Sequence, residues 1–77
     1  MWEFHICIES FQQVQEFVAL ANEQPFDVSV GNERQEINGK DLMGMFSLDY
    51  STPVQVRADC TQEQCDLFKN AAARFLA

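Results

Sequence analysis

Basic residues are scarce in this chain. Five Lys and Arg (Arg34, Lys40, Arg57, Lys69 and Arg74) stand against 12 Asp and Glu, a net charge of −7 over 77 residues. The five are scattered, and phosphate contacts need clustered cations, so no nucleic-acid partner is expected. Histidine occurs once, at His5. Cysteine occurs three times, at Cys7, Cys60 and Cys65, an odd number too small for a disulfide scaffold. Four residues separate Cys60 from Cys65, which is not the spacing of a CxxC redox pair. One histidine without paired cysteines gives no zinc site, so no metal is expected. The cysteines are expected to be small hydrophobes in a reducing compartment. No apolar run approaches the ~20 residues that span a bilayer. No basic segment leads into an apolar one at the N-terminus, where Glu3 and His5 interrupt. No membrane partner and a cytoplasmic location follow as expectations. Phosphate-loop, dinucleotide and calcium-loop patterns are absent. The acidic residues are spread as solvated faces rather than gathered into a site. No cofactor and no enzymatic activity are therefore expected.

What remains is one small domain over residues 1–77, a size at which folding buries only about 60% of the chain's surface. Trp2, Phe4, Ile6 and Ile8 alternate with Glu3, His5 and Cys7, which reads as a strand with one buried face. Ser10 offers an N-cap to a helix whose apolar stripe is Phe11, Val14, Phe17, Val18 and Ala21, ended before Pro25. Phe26, Val28 and Val30 give a second strand. Gly31-Asn32 suggests a tight hairpin turn into a polar return strand, Glu33 to Ile37. Asn38-Gly39 breaks the chain. Asp41 then caps about two helical turns carrying Leu42, Met43, Met45, Phe46 and Leu48, with Gly44 costing about 1 kcal/mol of helix propensity relative to Ala. Val54, Val56 and Ala58 form a fourth strand after Pro53. Thr61 and Gln64 make a capping box for a last helix with the stripe Cys65, Phe68, Ala72 and Phe75, widened by Leu67, Ala71 and Leu76. Arg74 sits near that helix's C-terminal end, where the dipole favours a cation. The order is strand, helix, strand, strand, helix, strand, helix. Half-polar strands call for an α+β open-faced sandwich: a four-stranded antiparallel or mixed sheet with three helices on one face.

This order resembles HPr, the histidine-containing phosphocarrier of the bacterial sugar phosphotransferase system. The resemblance covers nearly the whole chain in pattern and is sharpest at Asn38-Gly39-Lys40-Asp41-Leu42-Met43-Gly44-Met45-Phe46-Ser47-Leu48. HPr proteins of Gram-positive bacteria carry Lys-Ser-Ile-Met-Gly-Val-Met-Ser-Leu there. Lys40, Met43, Gly44, Ser47 and Leu48 match at the right spacing.

The resemblance implies two phosphate positions. The first is a histidine in a Gly-Leu-His-Thr-Arg-Pro-Ala type motif opening the first helix. It accepts phosphate from phosphorylated Enzyme I, with the helix N-terminus and an arginine stabilising the charge. Aligned through Phe17, that histidine falls at or near Ser10, the arginine at Gln12 and the proline at Gln13, so the motif is missing. His5, placed mid-strand on the polar face, lacks the amides of a helix end. Ser10 reads as a cap rather than a phosphoacceptor. The second position is a serine opening the short helix, which a dedicated kinase modifies to recruit a transcription factor. Asp41 stands there, either as a weak fixed mimic of phosphoserine or simply as a cap. The short helix of such proteins also presents apolar residues to partners, and soft Met side chains suit that use.

The expectation is an HPr-like regulatory, protein-binding module, unable to carry phosphate on histidine and with no catalytic residue of its own. It would contact a phosphotransferase component or a transcription regulator through Ser10, Phe11, Lys40, Asp41, Met43, Phe46 and Ser47. A monomer or weak dimer is expected. One alternative shares only the fold: a small-molecule-binding or dimerisation domain using Trp2, His5 and Arg57. Another is an atypical phosphocarrier with an unusual acceptor.

Overall fold

Alternation in the strands and three-four spacing in the helices become four strands and three helices in the computed structural model, which describes residues 1–77. They are β1 (Trp2–Ile6), α1 (Phe11–Asn22), β2 (Val28–Gly31), β3 (Glu36–Asn38), α2 (Leu42–Phe46), β4 (Val54–Ala58) and α3 (Gln62–Ala71), followed by a 3-10 turn at Ala73–Phe75. The sheet order is β1-β4-β2-β3 and every neighbouring pair is antiparallel. Phe4 and Ile6 of β1, Val28 and Val30 of β2, and Val54, Val56 and Ala58 of β4 are buried on one face. The other face carries Glu3, His5, Ser29, Gln55 and Arg57, none of them buried. A single apolar sheet face needs a single helical layer, and α+β segregation follows.

The core is knit by rings. Phe68 of α3 meets Phe4 at 5.6 Å and Phe26 at 5.8 Å, both edge-on, and Phe17 of α1 meets Phe75 at 5.8 Å. Edge-to-face pairs of this kind add about 0.5–1.5 kcal/mol beyond area burial. No polar side chain is buried with them.

The alternation from Trp2 to Ile8 is not all ladder: pairing with β4 ends at Ile6↔Val54, because the preceding residue, Pro53, has no N–H to donate. Cys7 N instead donates to Phe75 O at 2.7 Å, and Ala77 N donates to His5 O at 3.1 Å, so residues 75–77 cover the outer side of β1. Trp2, though on the inward side of the alternation, is 39% exposed at the end of its strand.

The hairpin turn is longer than Gly31-Asn32. Gly31 pairs with Glu36, and Asn32 to Gln35 turn the chain, with Asn32 Oδ1 accepting from Arg34 N at 2.8 Å and Gln35 N at 3.1 Å. No residue takes the positive φ that a tight two-residue hairpin demands. Gly31 is needed for approach rather than for φ: a Cβ there would sit 2.5 Å from Gln35 O. The return strand is consequently Glu36–Asn38 rather than Glu33 to Ile37.

The short helix is five residues, not two full turns, and Ser47 N and Leu48 N close it with i→i+3 bonds to Gly44 O and Met45 O. In α3 the stripe Cys65, Phe68, Ala72 and Phe75 is buried, but Leu67 is 65% exposed and Ala71 is exposed too. The helix ends at Ala71, so Leu76 leaves the stripe and bridges to Ile6.

Candidate functional site

Ser10 begins α1 as its N-cap. Its backbone is extended, and its Oγ accepts a hydrogen bond from Gln13 N at 3.2 Å. Gln13 Oε1 in turn accepts from Glu9 N at 2.6 Å. The Ser10 side chain thus takes one of the amides at this helix end, and the Gln13 side chain ties back to the residue before the cap. Beside it lies a shallow concavity lined by Ile8, Glu9, Ser10, Phe11, Val14, Tyr50 and Ser51. It contains no Lys, Arg or His, and its one charged residue, Glu9, is negative. A phosphoryl group bound here would meet helix amides but no fixed cation and a like charge.

Phe11, the first residue of α1, is 76% exposed, yet its ring meets Phe46 of α2 edge-on at 5.6 Å. Met43, three residues before Phe46 and so on the same side of α2, is also 76% exposed. Met45 and Leu48 point the other way and are buried. The five apolar residues of this segment therefore split: Met45 and Leu48 enter the core, Leu42 and Phe46 are half-buried with Phe46 against Phe11, and Met43 stays at the surface.

Tyr50 anchors the loop between α2 and β4. Its hydroxyl donates to Met45 O at the end of α2, and burial pushes its pKa up to about 12. In the same loop Asp49 Oδ1 accepts from Ser51 N at 2.9 Å, and the backbone and hydroxyl of Ser51 hold the Asp49 carboxyl below its usual range. Sequence reasoning passed over Tyr50. The available signal was a lone tyrosine inside the polar stretch Asp49-Tyr50-Ser51-Thr52, where an aromatic with a hydroxyl commonly finds a carbonyl.

The remaining predicted contact residues have other work. Lys40 Nζ donates to Gln24 O at 2.9 Å, while Asn22 Nδ2 donates to Lys40 O at 3.1 Å. Lys40 thus clamps the far end of α1, where a cation complements the dipole, at the opposite end of that helix from Ser10. Since α2 starts near Lys40 and ends at Phe46 against Phe11, it runs back along α1. Ser47 is exposed, but its Oγ donates to Gly44 O at 2.6 Å, inside its own helix. Asp41 occupies the N-cap position with extended backbone, but its carboxylate makes no capping bond, which corrects the expected cap. Its Oδ2 instead lies 3.1 Å from where a Cβ on Gly44 would stand. The structure therefore brings Phe11, next to the Ser10 cap, against Phe46, leaves Met43 exposed one turn earlier on α2, and sets Lys40 at the other end of α1.

Nor are Trp2, His5 and Arg57 brought together. Trp2 alternates to the helix side of the sheet, whereas His5 and Arg57 lie on its open side. Arg57 is held between Glu36, at 3.4 Å, and Glu3, at 3.7 Å. Arg57 Nη1 donates to Glu36 Oε2 while its Nε finds no acceptor, and both contacts sit at partly exposed positions, worth little each. His5, opposite Gln55 in the ladder, borders a polar hollow with Arg34, Asp49 and Thr52.

The four-stranded open sandwich with this helical pair defines a class of small phosphocarrier-like domains, and comparison with solved structures bears this out. A phosphocarrier HPr of Bacillus anthracis is 17% identical, with a TM-score of 0.73, matching 99% of this chain and 94% of that one. HPr-C-His of Thermoanaerobacter tengcongensis is 23% identical, with a TM-score of 0.74 over 91% and 89% of the two chains. Crh, a catabolite-repression protein of Bacillus subtilis solved as a domain-swapped dimer, is 30% identical, with a TM-score of 0.64 over 88% of this chain and 79% of that one. No protein-family profile and no curated sequence matches. The chain belongs to the HPr-like family.

Proposed function

We propose that this protein is an HPr-like regulatory module that binds a protein partner and does not carry phosphate on histidine. The observation that carries the proposal is the pairing, at one end of α1, of an exposed apolar patch with a helix N-terminus that has neither histidine nor cation. Phe11, Met43 and Phe46 present the patch. Exposed apolar residues on a chain with a net charge of −7 favour specific contact over a stray hydrophobic surface. Ser10 caps Gln13 N, and the Gln13 side chain ties to Glu9 N, so the helix start is held by neutral side chains. His5 stands in β1, on the open side of the sheet, with no helix end beside it. The Crh similarity supports a regulatory rather than a carrier role, and Asp41 supplies one permanent negative charge where the family's serine would be modified.

The partner is a phosphotransferase component or a catabolite-control regulator. Titration calorimetry against each tests this. Phe11→Ala and Met43→Ala are expected to weaken binding about tenfold or more, as truncated apolar anchors commonly do. Unchanged affinity in both variants would move the contact surface elsewhere.

A further inference from the structure

Cys60 and Cys65 follow the end of β4 that pairs with Trp2, whereas Phe11 follows the opposite end of β1, and nothing in the proposed function uses them. Their placement follows from the start of α3. Thr61 is the N-cap, its Oγ1 accepting from Gln64 N at 3.2 Å, and Gln64 Oε1 accepts from Thr61 N at 3.1 Å. A complete capping box fixes the entry angle of the chain. It thereby turns the residue before the cap, Cys60, toward the fourth helical residue, Cys65, the two positions that form a hydrophobic staple. Here both staple residues are thiols. Cys65 is 4% exposed within the core, and Cys60 packs against that core while keeping partial exposure.

We propose that Cys60 and Cys65 form a redox modification site, converted to an intramolecular disulfide across the first turn of α3 by a small disulfide oxidant of the glutathione class. The half-exposed Cys60 loses its proton and its thiolate attacks one sulfur of oxidised glutathione. That S–S bond breaks, one glutathione thiolate leaves and takes up a proton, and a mixed disulfide stands on Cys60. Cys65, losing its proton in turn, attacks the Cys60 sulfur and displaces the second glutathione. Two protein thiols are oxidised and one glutathione disulfide is reduced to two thiols, so atoms and electrons balance. Burial raises the Cys60 pKa, and the neighbouring Cys65 thiol and Asp59 raise it further. Cys60 thus favours its thiol form, which makes this a slow, accumulating kind of site rather than a catalytic one. Cys7, exposed just after β1, can take only a mixed disulfide or pair with another chain.

The test uses Cys7→Ser protein, intact and folded, incubated with oxidised glutathione, quenched by alkylation and read by mass spectrometry. The expected product has lost two hydrogens, carries no glutathione and takes no alkyl group. Cleavage after Glu63 separates the two cysteines in sequence, so the disulfide must appear as two joined peptides that dithiothreitol releases. Adding Thr61→Ala loosens the capping box and is expected to slow the closure several-fold. Cys60→Ser, which leaves the core intact, is expected to take up no glutathione, because Cys65 is covered. A stable glutathione adduct on Cys60 with Cys65 still free overturns the proposal, as does closure at an unchanged rate in the Thr61→Ala protein.

Discussion

Tyr50 shows how much a single side chain can decide in a domain of this size. It fastens the α2–β4 loop to the last turn of α2 through Met45 O. Tyr50→Phe removes that bond and is expected to cost about 1 kcal/mol, measured by urea unfolding. Its titration gives a pH signature. The folded phenol holds its proton up to about 12, against 10.0 when unperturbed. Between those values the unfolded chain binds fewer protons than the folded one, so the contribution is fully present below pH 10 and is lost as pH rises toward 12. Since Tyr50 is the only tyrosine, tyrosinate absorbance reads this group alone. An absorbance midpoint near 10 in the folded protein would contradict the burial of this hydroxyl. Gly31 is decisive for a different reason. A side chain at that position would strike Gln35 O, a backbone atom that cannot swing aside, so Gly31→Ala is expected to cost about 1–3 kcal/mol by unfolding.

Among the elements, helix starts were legible where local chemistry alone sets them. The Thr61–Gln64 box is a four-residue pattern, and both of its bonds form. Ser10 likewise caps α1 as its position suggested. Thr61→Ala and Ser10→Ala are each expected to lower stability by about 1 kcal/mol, a loss readable by urea titration. Asp41 looks equally good in sequence but makes no capping bond, because a five-residue helix pinned at Lys40 and Tyr50 takes its geometry from its neighbours. The β2–β3 turn was misjudged for a related reason: Asn32 uses its side chain to turn the chain, an option that the Gly-Asn pair does not reveal by itself. The strand-helix order and the buried stripes were legible because periodicity records burial directly. Which residues of α2 face outward was not, since five residues are too few to show a stripe. Of the proposed contact residues, Phe11 and Phe46 touch and Met43 is exposed one turn earlier on α2, a placement that the sequence pattern of so short a helix does not reveal, while Lys40 matches the family motif yet serves α1.

At the scale of the whole molecule, a small core makes each large side chain costly to lose. A 77-residue domain is worth roughly 4–12 kcal/mol at the usual 0.05–0.15 kcal/mol per residue. Phe68, fully buried among Phe4, Phe17 and Phe26, sits where the helical layer and the sheet meet. Phe68→Ala is expected to cost about 3–5 kcal/mol, a large share of that stability, read as a lowered urea midpoint by circular dichroism. The same economy frames the function. The scaffold keeps the helix pair that presents Phe11, Met43 and Phe46, but the end of α1 carries neither an imidazole nor a cation. The most direct test of the account is incubation with phosphoenolpyruvate and Enzyme I, with phosphate incorporation followed by mass spectrometry under conditions that preserve phosphohistidine. The account predicts no phosphate on the chain. A phosphoryl group on His5 or Ser10, transferable onward to a phosphotransferase acceptor, would contradict it.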